Sequence, residues 1–245
     1  MQLGDDELIR RLKIRPADRI LDVGGSMRQH GVIKVDTLVD TLRPERTPYV
    51  KSPLRAGRFV KVDITQDGLP FGSKEFDVCL CTHTLEDLYN PFLILKEMGR
   101  VAKRGYIATP SRGKDMEFSR LNLTEWNTGW RRQPGLAHHY WFFENRKGRM
   151  YIVPKNYPLL YTSEFWVETW LGEDEMRYFW NGEIKFKTFT TVDFHGLIDE
   201  YRNFMKSHQG LIKKGRPLVY LDSPHLYLKE MVKKLVKRGA GFNRN

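Results

Sequence analysis

The run Arg19-Ile-Leu-Asp-Val-Gly-Gly-Ser26 constrains this chain most. An apolar stretch that stops abruptly at glycines marks a buried parallel strand entering a tight turn. Such a strand needs parallel neighbours, and the sequence supplies them. Val35 to Leu42 is a second β-rich run, closed by Arg43-Pro44; Phe59 to Ile64 is a third, Phe76 to Thr84 a fourth and Gly105 to Pro110 a fifth. Short helical segments alternate with them. Asp5 to Leu12 forms a helix ended by Pro16, and Asn90-Pro91 opens another in which Phe92, Leu95, Met98 and Val101 keep the helical period. Strands alternating with helices imply an α/β fold with a doubly wound, mostly parallel sheet.

Length and composition fit one such domain spanning residues 1–245, with 40% hydrophobic residues ruling out a disordered chain. The sequence contains no apolar run of about 18 residues that would span a membrane, and MQLGDDELIRRLK at its start is unlike a secretory signal. A cytoplasmic protein is the expectation. Charge is uneven: residues 1–110 are net +3, residues 111–205 are neutral, and residues 206–245 carry 10 basic against 2 acidic side chains. Within that basic tail, Leu228, Met231, Val232, Leu235 and Val236 repeat at helical spacing between lysines. Residues 224–245 are thus a candidate contact for an anionic membrane surface or a polyanion, which would make the protein peripheral at a membrane; a helix docked on its own domain is the plainer alternative.

The pattern changes after Pro110. All six tryptophans lie between Trp126 and Trp180, a span that holds 15 of the 31 aromatic residues, as a second small core or an aromatic-walled pocket would. Residues 111–137 are irregular. His139-Tyr-Trp-Phe-Phe143 and Arg149-Met-Tyr-Ile-Val-Pro154 flank Asn145-Arg-Lys-Gly148, which reads as an aromatic-rich β-hairpin with a turn of four to five residues. Thr191 to His208 suits a helix burying Leu197, Ile198, Tyr201, Phe204 and Met205. Residues 113–190 read as an insertion on the acceptor side of a core at 17–112.

In an open α/β sheet, ligands settle beyond the carboxyl ends of the strands, where the strand order reverses. Gly24 and Gly25 would let a ligand approach the backbone there. Asp40 ends the second strand, 18 residues after Asp22, where a carboxylate can accept both hydroxyls of a ribose. Asp63 ends the third strand, where a carboxylate followed by Ile64 could hold an adenine amino group and cover its face. Each acid alone reads as a solvated strand end; three on successive strands read as a nucleotide-type site.

The ordered series LDVGGS, VDI…LPF, FDVCLCTHTLEDL and EMGRVAKRG before the fifth strand resembles the core of class I S-adenosylmethionine-dependent methyltransferases, over roughly residues 17–112. The resemblance implies a Rossmann-like fold with S-adenosyl-L-methionine as cofactor. Asp22, Gly24 and Gly25 would form the turn around its methionine end and sugar, Asp40 would take the ribose, and Asp63 with Ile64 the adenine. Thr82, His83 and Thr84 would line the methionine side. One position departs: Ser26 stands where the family's Asp-x-Gly-x-Gly turn has its second glycine. Serine still presents a backbone N–H but restricts φ and adds bulk.

Cys79 and Cys81 share one face of a buried strand, with no further cysteine to complete a metal site. His83, His138 and His139 are the candidates for a general base. Because neighbours in a strand point to opposite faces, His138 and His139 are not expected to share a metal ion, and none is assigned. More loosely, Thr109-Pro-Ser-Arg112 and His138-His-Tyr-Trp-Phe-Phe143 resemble stretches of sugar-modifying relatives, which implies a saccharide or glycan hydroxyl as methyl acceptor. Two alternatives stand beside it: a nucleic-acid methyltransferase gripping phosphates with its tail, and a non-catalytic binding module on the same fold.

Overall fold

β1 (Ile20–Val23) is buried at every position and pairs in parallel on both sides. Its partners are β2 (Thr37–Asp40) and β4 (Phe76–Thr82). β3 (Arg58–Lys61) extends the sheet beyond β2, and β5 (Ala102–Pro110) extends it beyond β4, all in parallel. The order of winding reverses between β1 and β4, which puts the switch-point crevice above those two strands. The computed structural model describes residues 3–48, 50–119, 133–134, 138–189 and 193–214. The basic segment 224–245, its expected helix, and Trp126 and Trp130 lie outside the described residues.

The alternation inside β4 separates two cores. Val78 and Leu80 pack with Tyr106, Ala108 and the apolar face of α1 (Asp5–Leu12). Cys79 and Cys81 pack on the other face with Leu21, Val23, Ile107 and the buried side of α2 (Pro91–Val101). Both thiols are free and fully buried, and burial pushes each well above the usual thiol range. α2 starts as expected, with Pro91 in its first turn and the Asn90 side chain accepting from the Phe92 N–H.

The links between β1, β2 and β3 lack the helices of a regular alternating pattern: each holds only a single 3₁₀ turn, Gly25–Met27 and Pro44–Arg46. The first link is instead fastened from outside. One carboxylate, that of Asp5, accepts from the N–H groups of Gly31, Val32 and Ile33 and faces His30 Nδ1 at 2.7 Å. The second carries Pro44, Pro48 and Pro53, which withhold the donors a helix needs. β3 also stops at Lys61, so Asp63 lies two residues past the strand rather than at its end.

After β5 come α3 (Arg112–Met116) and the short antiparallel pair β6 (Phe118–Ser119) and β7 (Gln133–Pro134). β8 (Trp141–Arg146) and β9 (Arg149–Pro154) form the hairpin. β9 has the expected bounds, β8 begins two residues later than expected and runs three residues further, and the turn is two residues, Lys147 and Gly148, at φ 53° and 77°. Positive φ at both central positions is the twist-matched hairpin geometry, and Gly148 makes it accessible. α4 (Tyr157–Leu160) leads to β10 (Thr169–Trp170), and β11 (Glu175–Asn181) then joins the main sheet antiparallel to β5. β12 (Phe186–Thr188) pairs with β9, α5 (Phe194–Ser207) buries Leu197, Tyr201, Phe204 and Met205, and β13 (Ile212–Lys213) pairs with β10.

The chain divides into two compact units, Met1–Asp115 with His138–Asn156 and Gly172–Phe194, and Met116–Ala137 with Tyr157–Leu171 and His195–Asn245. The first contains the sheet and the hairpin. The second has its own aromatic core: Phe118 stacks on Trp166 at 3.8 Å, and Phe165 meets Tyr201 edge-on. Neither unit follows the boundaries 113–190 read from the sequence. At the amino end of the sheet, Lys74 Nζ donates to the carbonyls of Gly99, Ala102 and Gly182 at 2.6, 2.8 and 2.7 Å. Among the described residues, no helix is long and apolar enough to cross a membrane.

Candidate functional site

The turn after β1 is built for close approach. Gly24 has φ 77°, and a Cβ there would sit 2.3 Å from Thr84. A Cβ on Gly25 would sit 2.0 Å from Asp22 Oδ2. Only glycine fits either position. Asp22 itself is 1% exposed, burial raises its pKa to about 6, and its Oδ1 accepts no hydrogen bond. A buried carboxylate oxygen left unsatisfied beside a side-chain-free turn is costly unless a donor arrives there.

Ser26 is 1% exposed, and its hydroxyl donates to the Leu42 carbonyl at 2.6 Å. Its N–H donates to Asp40 Oδ2 at 3.1 Å, while Asp40 Oδ1 accepts from the Thr41 N–H. The serine thus ties the turn to the end of β2, with its hydroxyl engaged on the β2 side. Asp63 accepts from the Thr65 N–H and hydroxyl and from Gln66 Nε2, and the Thr65 hydrogen bonds hold its carboxyl below the usual range. Ile64, 3% exposed, belongs to the sheet core.

Beyond β4, Thr82 and Thr84 are buried, and Thr84 Oγ1 reaches the Gly24 carbonyl at 3.4 Å. His83 between them takes φ 51°, uncommon for a residue with a side chain. This backbone places its imidazole between two acids, Nε2 at 2.9 Å from Glu175 Oε1 and Nδ1 at 3.4 Å from Glu86 Oε1. Burial disfavours the charged ring, but the hydrogen bonds from Glu175 and Glu86 prevail and lift its pKa to about 9. Arg177 lies against the other oxygen of Glu175 at 3.5 Å.

A second group stands where the hairpin begins. His139 is 3% exposed, with Nδ1 at 2.9 Å from Asp115 Oδ1, the same oxygen that accepts from Lys155 Nζ at 2.9 Å. Burial pushes the Asp115 carboxyl up, but Lys155 and His139 outweigh it and keep the group below its usual range. Asp87 Oδ1 lies 3.3 Å from His138 Nε2 and 3.5 Å from His139 Nε2. Backbone bonds fix this region. The Tyr140 N–H donates to the Glu86 carbonyl at 2.7 Å, the Lys155 N–H donates to the Tyr140 carbonyl, and Trp141 Nε1 donates to the Leu88 carbonyl.

A family model described as a methyltransferase domain matches residues 21–108. That span runs from the second residue of β1 through β4 to Ala108 in β5. Residues 21–108 resemble a methyltransferase domain. No curated protein matches the chain. Solved structures similar over part of it include the following three. The YcgJ protein of Bacillus subtilis is 18% identical, with 43% of this chain and 50% of that one covered and a TM-score of 0.32. A SAM-dependent methyltransferase of Thermotoga maritima is 21% identical, covering 43% and 51% with a TM-score of 0.34. An S-adenosylmethionine-dependent methyltransferase of Mesorhizobium loti is 14% identical, covering 56% and 66% with a TM-score of 0.32. The chain thus spans about half the length of the first of these proteins.

The matched segment brings Asp22, Gly24, Gly25, Ser26, Asp40, Thr82 and Thr84 together at the carboxyl edge of the sheet. The unsatisfied Asp22 oxygen and the two glycines that admit no Cβ could take the methionine end of S-adenosylmethionine, with Asp40 at the end of β2 as the residue that would hold its ribose. Sequence reasoning missed the partners of the histidines. Asp115 and Lys155 are 40 residues apart and meet only because the hairpin folds back on α3. Glu175 reaches His83 because β11 adds antiparallel to β5, opposite Pro110. The expectation that His138 and His139 point apart does not hold: both precede β8, outside any regular strand, and their rings meet edge-on at 4.7 Å.

Proposed function

We propose that the protein uses S-adenosylmethionine to methylate a hydroxyl of a sugar or glycan. The observation that carries the acceptor reading is an exposed aromatic pair flanking the histidines. Tyr89 and Tyr140 are 78% and 48% exposed, and their rings meet edge-on at 5.8 Å. Flat aromatic faces left in water beside Asp87, His138 and His139 suit the C–H faces and hydroxyls of a saccharide.

In the reaction the acceptor oxygen attacks the sulfonium methyl. The new C–O bond forms as the C–S bond breaks, S-adenosylhomocysteine departs, and the hydroxyl proton is released. Alignment of the two reactants is the main requirement, worth up to about 7–11 kcal/mol in well-oriented systems. His83, protonated at neutral pH by its two acids, is poorly placed to take the proton and serves the site as a cation. The hydroxyl proton then departs on the His138–His139 side. The basic segment 224–245 would hold the protein at an anionic surface where glycan acceptors are presented.

The test is calorimetric titration of the full chain with S-adenosylhomocysteine, followed by incubation with methyl-labelled S-adenosylmethionine and panels of saccharides and nucleic acids. Binding that weakens in Asp40→Ala, with label on a saccharide, is expected. Absence of binding by the folded protein removes the cofactor reading, and label on nucleic acid or on neither panel removes the acceptor reading.

A further inference from the structure

We propose that Asp87, His138 and His139 form a binding site for one divalent transition-metal ion of the zinc or iron(II) type. Two imidazole nitrogens and one carboxylate oxygen are ligands such ions accept. The donor atoms all lie within 4.8 Å of one another. Bonds of about 2.0–2.2 Å to a metal place neighbouring donor atoms about 3.0 Å apart at right angles and about 3.4 Å apart in a tetrahedron. The separations from Asp87 Oδ1 are 3.3 and 3.5 Å, close to that tetrahedral edge. They exceed the roughly 2.7–2.9 Å of a direct charge-assisted hydrogen bond.

The surroundings support the same assignment. Asp115 takes Nδ1 of His139 and leaves Nε2 facing the cluster, the arrangement by which carboxylates orient metal-bound histidines. Lys155 Nζ donates to the same Asp115 oxygen and offsets that carboxylate's charge. Exposure is graded: His139 is buried at 3%, whereas the Asp87 and His138 side chains are 34% and 36% exposed. A metal held here is closed on the protein side and open outward, as a site that must admit a substrate oxygen requires. Tyr89 and Tyr140, both exposed, lie two residues from Asp87 and one from His139 along the chain. This role rests on the proposed function: a saccharide hydroxyl on an open position is acidified by the metal and gives its proton to water, and the resulting oxygen attacks the methyl group.

The experiment is isothermal titration of the chelator-dialysed full chain with zinc, repeated with cobalt(II) while visible absorption is recorded. One ion per chain is expected, with cobalt bands of a low-symmetry nitrogen–oxygen site. His138→Ala and Asp87→Asn should abolish both signals, Asp115→Asn should weaken binding roughly 10–100-fold, and His208→Ala, a histidine of the other unit, should bind as wild type. Because His138 and Asp87 are partly exposed, those variants remain folded where His139→Ala risks collapse. Wild-type zinc binding in both variants, or no binding by the parent, overturns the proposal. S-adenosylhomocysteine is titrated into the same samples. Zinc binding without it removes the cofactor reading and leaves the metal site; the reverse removes the metal site alone.

Discussion

His83 should make the stability of this protein depend on pH in a direction opposite to the usual acid effect. Its ring has an ordinary pKa of 6.5, raised to about 9 in the fold because, against burial, Glu175 and Glu86 hold the charged form. A group whose pKa is raised on folding adds stability that is complete below the unfolded value and lost as pH climbs through the folded one. The window therefore runs from about pH 6.5 to about pH 9. A difference of 2.5 units at 1.36 kcal/mol each gives an upper figure of about 3 kcal/mol. Urea unfolding across that window measures it, with His83→Asn as the reference. Asparagine tolerates φ 51°, so the variant keeps the backbone and removes the titration. Wild type should lose stability toward pH 9 while His83→Asn stays nearly level. Equal slopes in the two proteins, or an imidazole that titrates near 6.5 by NMR, would refute the reasoning.

Gly25→Ala places a methyl 2.0 Å from the buried Asp22 carboxylate, and S-adenosylhomocysteine binding by calorimetry should be lost while the far-ultraviolet circular dichroism is kept. Lys155→Met removes the ammonium from the buried Asp115 carboxylate, and removing one partner of a buried charged pair costs about 3–5 kcal/mol, read as a fall in the urea midpoint. Deleting residues 224–245 should reduce sedimentation with anionic vesicles at low salt and spare cofactor binding; unchanged sedimentation would assign the tail a different role.

The sheet was legible because its strands announce themselves: apolar runs ended by glycine, aspartate or proline need no distant information. Gly24 and Gly25 were legible for the same reason. What failed were features set by partners far along the chain. β11 follows a period-two pattern in Met176, Tyr178 and Trp180, all buried, but its place beside β5 depends on pairing. The aromatic concentration was readable, though not its division between two units. The His138–His139 geometry was misjudged because strand alternation was applied one residue too early, before β8 begins at Trp141.

Lys74 has a consequence for how the two ends of the sheet age under stress. Its ammonium is held by three neutral carbonyls, from the end of α2, the first residue of β5 and the turn after β11. Contacts to carbonyl dipoles do not vanish when acids are protonated, and salt screens them less than it screens an exposed pair of full charges. Acid strong enough to neutralise Asp115, Asp87 and Glu175 would loosen the carboxyl edge and leave this clasp fastened. The protein should then fail from the chemical end first, with β4, β5 and β11 still joined at their opposite end.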